Sequence, residues 1–105
     1  MASSKEYLQF ILDQLADLDE ITYRQMMWEY ILYFHWKIVG GIYDNRLLLK
    51  PTNIVKETIN ELEMEIPYPS AKPMIYVDNV DNSDYLQKLI IDTYDELYWN
   101  KSKIS

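Results

Sequence analysis

Cysteine is absent from this 105-residue chain. Its absence excludes disulfides, thiolate metal sites and cysteine nucleophiles. Histidine occurs once, as His35. Any Ser-His-Asp triad or histidine metal site would have to be built around that single ring. Glycine occurs twice, as the pair Gly40-Gly41. The pair lacks the helix start and following glycines of a phosphate loop. A bulge or a close backbone contact is its expected role. Basic residues are also scarce, with 10 Lys and Arg against 17 Asp and Glu, for a net charge of −7. Proteins that grip nucleic acid displace phosphate counterions with a basic patch. Here the basic residues are scattered, so direct DNA or RNA binding is not expected, nor is binding to anionic lipid. Long apolar runs are missing too, and a membrane helix needs about 18 such residues. The opening Met-Ala-Ser-Ser-Lys-Glu has no cationic stretch leading into an apolar one. No secretory signal is read there, and a cytoplasmic location is the expectation. Asn100-Lys101-Ser102 matches a glycosylation sequon, which without a signal is read as chance.

What the chain does contain is apolar and aromatic mass: 49% hydrophobic residues and 14% aromatics, with 10 tyrosines. That composition argues against disorder and for a single domain over residues 1–105 with one core. Ser3-Ser4-Lys5-Glu6 reads as a capping box, with Ser3 as the cap. Leu8, Ile11, Leu12, Leu15 and Leu18 follow at helical spacing, predicting an amphipathic helix over residues 4–18. Asp17, Asp19 and Glu20 carry the wrong charge for a helix C-terminus. Either the helix stops early or the acidic cluster serves something else.

From residue 21 to 50 the pattern turns to strands. A long first strand spans 23–34, with a bend near Trp28-Glu29. His35-Trp36 turns into a second strand over 37–43. Asp44-Asn45 makes a two-residue hairpin turn into a third strand over 46–50. Thr52 is a plausible N-cap for the next helix, striped by Ile54, Val55, Thr58, Ile59 and Leu62. Pro67 and Pro69 make 67–72 a loop. Residues 74–77 form a short strand, and 64–66 are a candidate partner for it. Asp81 or Asn82 caps the last helix, with Asp84 in its first turn and Leu86, Leu89, Ile90, Thr93, Tyr94 and Leu97 on its buried face. The tail from 100 to 105 is polar and expected to fray. The predicted order is α-β-β-β-α-β-β-α, a two-layer α+β fold with an antiparallel sheet covered by helices.

Several blocks in this order resemble the N-terminal domain of TfoX/Sxy-type competence regulators. They are Ile21-Thr22-Tyr23-Arg24-Gln25-Met26-Met27, Glu29-Tyr30-Ile31-Leu32-Tyr33, Lys37-Ile38-Val39-Gly40-Gly41-Ile42-Tyr43-Asp44 and Leu48-Leu49-Lys50-Pro51-Thr52. Pro67-Tyr68, Ala71-Lys72, Met74 and Val77-Asp78-Asn79-Val80-Asp81 continue it. The resemblance implies a stand-alone domain of the same two-layer fold. It also implies regulation through other proteins, a transcription regulator being one candidate partner, with no catalytic residue to carry over. The family places glycine where this chain has Trp28 and Trp36. Glycine there would supply positive φ or a close backbone approach.

The chemical candidates each have a plainer reading. His35 sits in a predicted exposed turn. Asp78, Asp81 and Asp84 miss the register of a calcium loop, and helix capping explains Asp81 and Asp84 better. Asp92, Asp95 and Glu96 fall on the polar side of the last helix, so a solvated face is favoured over a carboxylate pair. No catalytic, cofactor or metal residue is proposed. Large apolar groups on both sides of the strands predict an uncovered aromatic face instead, and such faces suit protein interfaces. The candidate interface residues are Met26, Trp28, Tyr30, Tyr33 and Trp36. A non-enzymatic regulatory or protein-interaction module, self-associating as a homodimer, is therefore the expected function. The alternatives are a chaperone-like structural dimer or an enzyme using carboxylates and tyrosines.

Overall fold

A computed structural model describes residues 3–99. The predicted fraying of residues 100–105 and the sequon at Asn100 lie outside the described residues. The described chain is α+β, with one antiparallel sheet and helices packed on one of its faces. No described helix is long and apolar enough to cross a membrane.

Helix α1 runs Lys5–Gln14, and its N-cap is Ser4, whose Oγ accepts from the Tyr7 amide at 3.1 Å. Ser3, predicted to be the cap, is engaged elsewhere. The helix also stops four residues earlier than the apolar spacing suggests. Leu15 caps it, and Leu15 and Leu18 pack on the core from the turns that follow. Asp17, Asp19 and Glu20 therefore lie beyond the helix end, which removes their conflict with the helix dipole.

The bend predicted near Trp28-Glu29 is a full hairpin. Strand β1, Ile21–Met26, turns at Met27-Trp28 and returns as β2, Glu29–Phe34. The N-terminal strand block thus holds four strands rather than three. Periodicity missed the turn because Met and Trp are poor turn formers, and the alternation of apolar residues continues across it. Strand β3, Lys37–Ile42, follows the His35-Trp36 turn, and β4, Leu47–Leu49, follows Asp44-Asn45. Helix α2, Asn53–Thr58, strands β5, Met64–Glu65, and β6, Met74–Val77, and helix α3, Ser83–Tyr94, complete the chain. A π-helical turn over Asp95–Trp99 extends α3. The strands lie in the order β1-β2-β3-β4-β6-β5, all antiparallel.

Register sorts the side chains onto two faces. Tyr30, Ile42, Leu47 and Val77 form one row across the sheet, and Leu32, Gly40, Leu49 and Ile75 the next. Apart from Gly40, these residues join Leu8, Ile11, Val55, Leu86, Leu89 and Ile90 in one core beneath the helices. Fully burying such a side chain contributes roughly 1.5–3 kcal/mol.

Two caps hold α2, which is only 6 residues long. Thr52 Oγ1 accepts from the Val55 amide. The Glu96 carboxylate accepts from the Asn53 and Ile54 amides at 2.9 and 3.1 Å. Glu96 therefore does not lie on a solvated face as predicted; it ties the end of α3 to the start of α2, where a negative charge suits the helix dipole. Asn82 caps α3 through the Tyr85 amide, with Asp84 in the first turn.

Both expectations for the glycine pair have a counterpart in β3. The ladder slips between Leu32 and Tyr33, leaving Val39 as an extra, fully buried residue beside the pair. A Cβ on Gly40 would sit 2.3 Å from the Leu48 carbonyl oxygen and 3.0 Å from Leu49 Cα. Both obstacles are backbone and cannot swing aside. Gly40→Ala is expected to destabilise the fold by about 2–3 kcal/mol, the upper range for overpacking. Urea denaturation followed by circular dichroism measures it.

Candidate functional site: a groove on the uncovered sheet face

The face away from the helices carries Arg24, Met26, Glu29, Ile31, Tyr33, Gly41, Tyr43, Leu48 and Tyr76. Part of it is roofed. The Tyr43 ring lies across Gly41, where a Cβ would come within 2.7 Å of its Cε2. Tyr68, from the loop between β5 and β6, packs on Tyr43 with ring centres 6.4 Å apart. Between this loop and the β1–β2 hairpin tip a groove of about 960 Å³ stays open. Met26, Trp28, Ile31, Tyr43, Pro67 and Tyr68 wall it. Met27, at the rim, is 81% exposed and Trp28 is 69% exposed.

A polar frame that includes the lining residues Glu29 and Asp44 borders the groove. The Glu29 carboxylate accepts from the Asp44 amide at 2.6 Å. The Ser3 amide donates to the Trp28 carbonyl at 3.1 Å, and Ser3 Oγ accepts from the Asn45 amide at 3.0 Å. The Ser4 amide donates to Asn45 Oδ1 at 2.8 Å. The segment ahead of α1 thus lashes two hairpin tips together. Arg46, also lining the groove, is ion-paired with Glu65.

The predicted interface residues separate into four groups. Met26 and Trp28 stand together on the groove wall. Tyr33 is half-buried on the same sheet face, outside the groove lining. Trp36 is exposed at the far end of β2, and a strand of that length spans about 20 Å. Tyr30 is the departure. It is 3% exposed and packs with the core on the helix side, edge-on to Tyr23. The inserted hairpin turn reset the alternation, so Tyr30 falls on the opposite face from Met26. Sequence reasoning did not single out Tyr43, Pro67 and Tyr68. Alternation from Gly41 is the signal that points Tyr43 to the open face, but nothing local brings a loop 25 residues later onto it.

The other candidates have structural partners. His35 is exposed in its turn, with Nδ1 2.8 Å from Glu20 Oε2. Asp92 accepts from Lys88 at 2.6 Å. Among the described residues, no three acidic or histidine side chains converge to hold a metal.

No protein-family model matches the chain, and no solved structure matches it. An uncharacterized 12.7 kDa protein in the trpE 5′ region of Spirochaeta aurantia is 39% identical to it over 80 residues. That match covers 76% of this chain and 70% of the Spirochaeta protein. The chain belongs to the family of that protein.

The two tryptophans behave differently. His35 and Trp36 both have positive φ, 49° and 66°, as a type I′ hairpin requires. In the other hairpin Met27 carries the positive φ, 56°, and Trp28 does not. A left-handed conformation costs a side-chain-bearing residue about 1–2 kcal/mol. Trp36→Gly is therefore expected to stabilise the protein by about 1 kcal/mol, whereas Trp28→Gly gives no such gain. Parallel urea melts of the two variants check the difference.

Burial raises the Tyr43 hydroxyl above its ordinary pKa of 10.0, and the neighbouring Tyr68 and Glu29 add to the shift. The folded state thus keeps this proton to higher pH than the unfolded chain. The associated stability is complete below pH about 10 and is lost as pH rises through the raised value. Tyr7 is raised in the same direction, by burial and Tyr76. Tyr43→Phe is expected to shrink the loss of stability between pH 9 and 11 without abolishing it, as read from denaturation midpoints across that range.

Proposed function

We propose that the protein is a non-enzymatic regulatory module that acts by binding another protein in the groove on the uncovered sheet face. The observation that carries this reading is the exposed Met27-Trp28 tip, 81% and 69% accessible, at the mouth of an apolar groove. Interfaces favour aromatic and methionine side chains at their centre, and Trp anchors are common hot spots. Burying these two side chains against a partner would recover free energy that the isolated fold leaves in water. The polar frame around Glu29 supports the same reading, because a rim fixed by backbone hydrogen bonds orders little more on binding.

The resemblance to the N-terminal domain of TfoX/Sxy-type regulators adds the regulatory part of the proposal. A transcription regulator is the partner class it suggests. The groove offers side chains that adhere, with Arg46 ion-paired to Glu65 and Glu29 Oε2 bonded to the Asp44 amide; Glu29 Oε1 is buried with no hydrogen-bond partner among the described residues.

Affinity capture from the host organism tests the proposal with three forms of the protein. Wild type is expected to retain a partner. The double variant Met27→Ser, Trp28→Ala is expected to lose it by roughly thirty-fold or more, about 2 kcal/mol for a hot-spot Trp. Trp36→Ala, at the far end of β2, is expected to retain it. Equal capture by all three forms overturns the assignment of the groove.

A further inference from the structure

The two edges of the sheet are unlike. The β5 edge is 2 residues long and runs into Pro67, a blunted end that resists further pairing. The β1 edge is 6 residues long, contains no proline and carries a single charge, Arg24. Its backbone groups can be assigned. The β1–β2 turn pairs Met26 with Glu29, and the His35 amide donates to the Glu20 carbonyl at 3.1 Å. Even-numbered residues of β1 therefore bond to β2. The amides and carbonyls of Ile21, Tyr23 and Gln25 point out of the sheet.

A second feature lies beside this edge. A hollow of about 470 Å³ sits between the end of α1 and the start of β1. Leu12, Leu18, Ile21 and Tyr23 line it together with Glu20 and Thr22. An open strand edge beside a surface hollow is the arrangement that accepts an added strand.

The geometry points to a second copy of this chain as that strand. An antiparallel pair centred on Tyr23 matches donor to acceptor at Tyr23–Tyr23, Ile21–Gln25 and Gln25–Ile21. Arg24 then lies opposite Thr22 of the other copy, so no like charges meet across the pair. Thr22 Oγ1 is buried and has no hydrogen-bond partner among the described residues. The result is a continuous twelve-stranded sheet, twice the 6 strands of one copy. The two-fold axis is perpendicular to it, and both open faces turn the same way.

The test needs no partner and is independent of the groove. Wild type is expected to sediment at twice the chain mass at micromolar concentration. Tyr23→Ala loses the ring that packs edge-on to Tyr30 and is expected to stay dimeric, whereas Tyr23→Pro loses the outward-facing amide as well, which an edge strand tolerates. The proline variant is expected to keep the native circular dichroism spectrum and to sediment as a monomer. The chain has no cysteine, so one introduced thiol reports the register. Residues facing each other in a hydrogen-bonded pair lie about 5.5 Å apart at Cα, within disulfide reach. Tyr23→Cys is therefore expected to cross-link under mild oxidation at least ten-fold faster than Met26→Cys. Met26 is the more exposed of the two, 55% against 49%, so random collision would give the opposite order. A monomeric wild type, a dimeric Tyr23→Pro that retains its fold, or faster cross-linking at position 26 each overturns the inference.

Discussion

A six-stranded sheet has two faces, and the described helices cover only one of them. Most other features of the molecule answer that imbalance. The helix side collects the apolar rows of β2, β3, β4 and β6 into one core. The other side must be managed with what remains. Tyr43 folds its ring over Gly41, Tyr68 comes down on Tyr43 from a distant loop, and the rest is left as a groove. Antiparallel sheets commonly solvate one face with polar side chains. Here Met26, Ile31 and Tyr43 occupy positions that a fully solvated face would give to polar residues.

The second constraint comes from close backbone packing. β3 and β4 meet at Gly40, where the Leu48 carbonyl leaves no room for a side chain. Next to it the Val39 bulge turns one extra apolar residue into the core. Bulges sharpen local twist. The bulge lies in the middle of the sheet, and the two hairpin tips at one end are tied by Ser3 and Ser4.

The fold class was legible in the sequence because its signals are local. Helix periodicity, the Thr52 and Asn82 caps, the Asp44-Asn45 turn and the short strand at 74–77 each need only a few residues in order. The errors have separate causes. The Met27-Trp28 turn has no turn residue to announce it, so β1 and β2 read as one strand. That single omission shifted the alternation and put Tyr30 on the wrong face. Glu96 was read as solvated because its partners, the amides that open α2, lie 42 and 43 residues away. The aromatic open face was foreseen from composition, and Met26 and Trp28 were placed on it. The groove itself was not foreseen, because it exists only where the loop carrying Pro67 and Tyr68 approaches the first hairpin.

The exposure of the indoles has a practical consequence. Trp28, Trp36 and Trp99 are 69%, 67% and 51% accessible, and the chain has 3 tryptophans in all. Their emission in the native state therefore resembles that of indole in water, and unfolding changes it little. Intrinsic fluorescence is consequently a poor reporter of denaturation for this molecule. It is a good reporter of anything that settles over Trp28, since a blue shift would mark the moment that ring leaves the solvent.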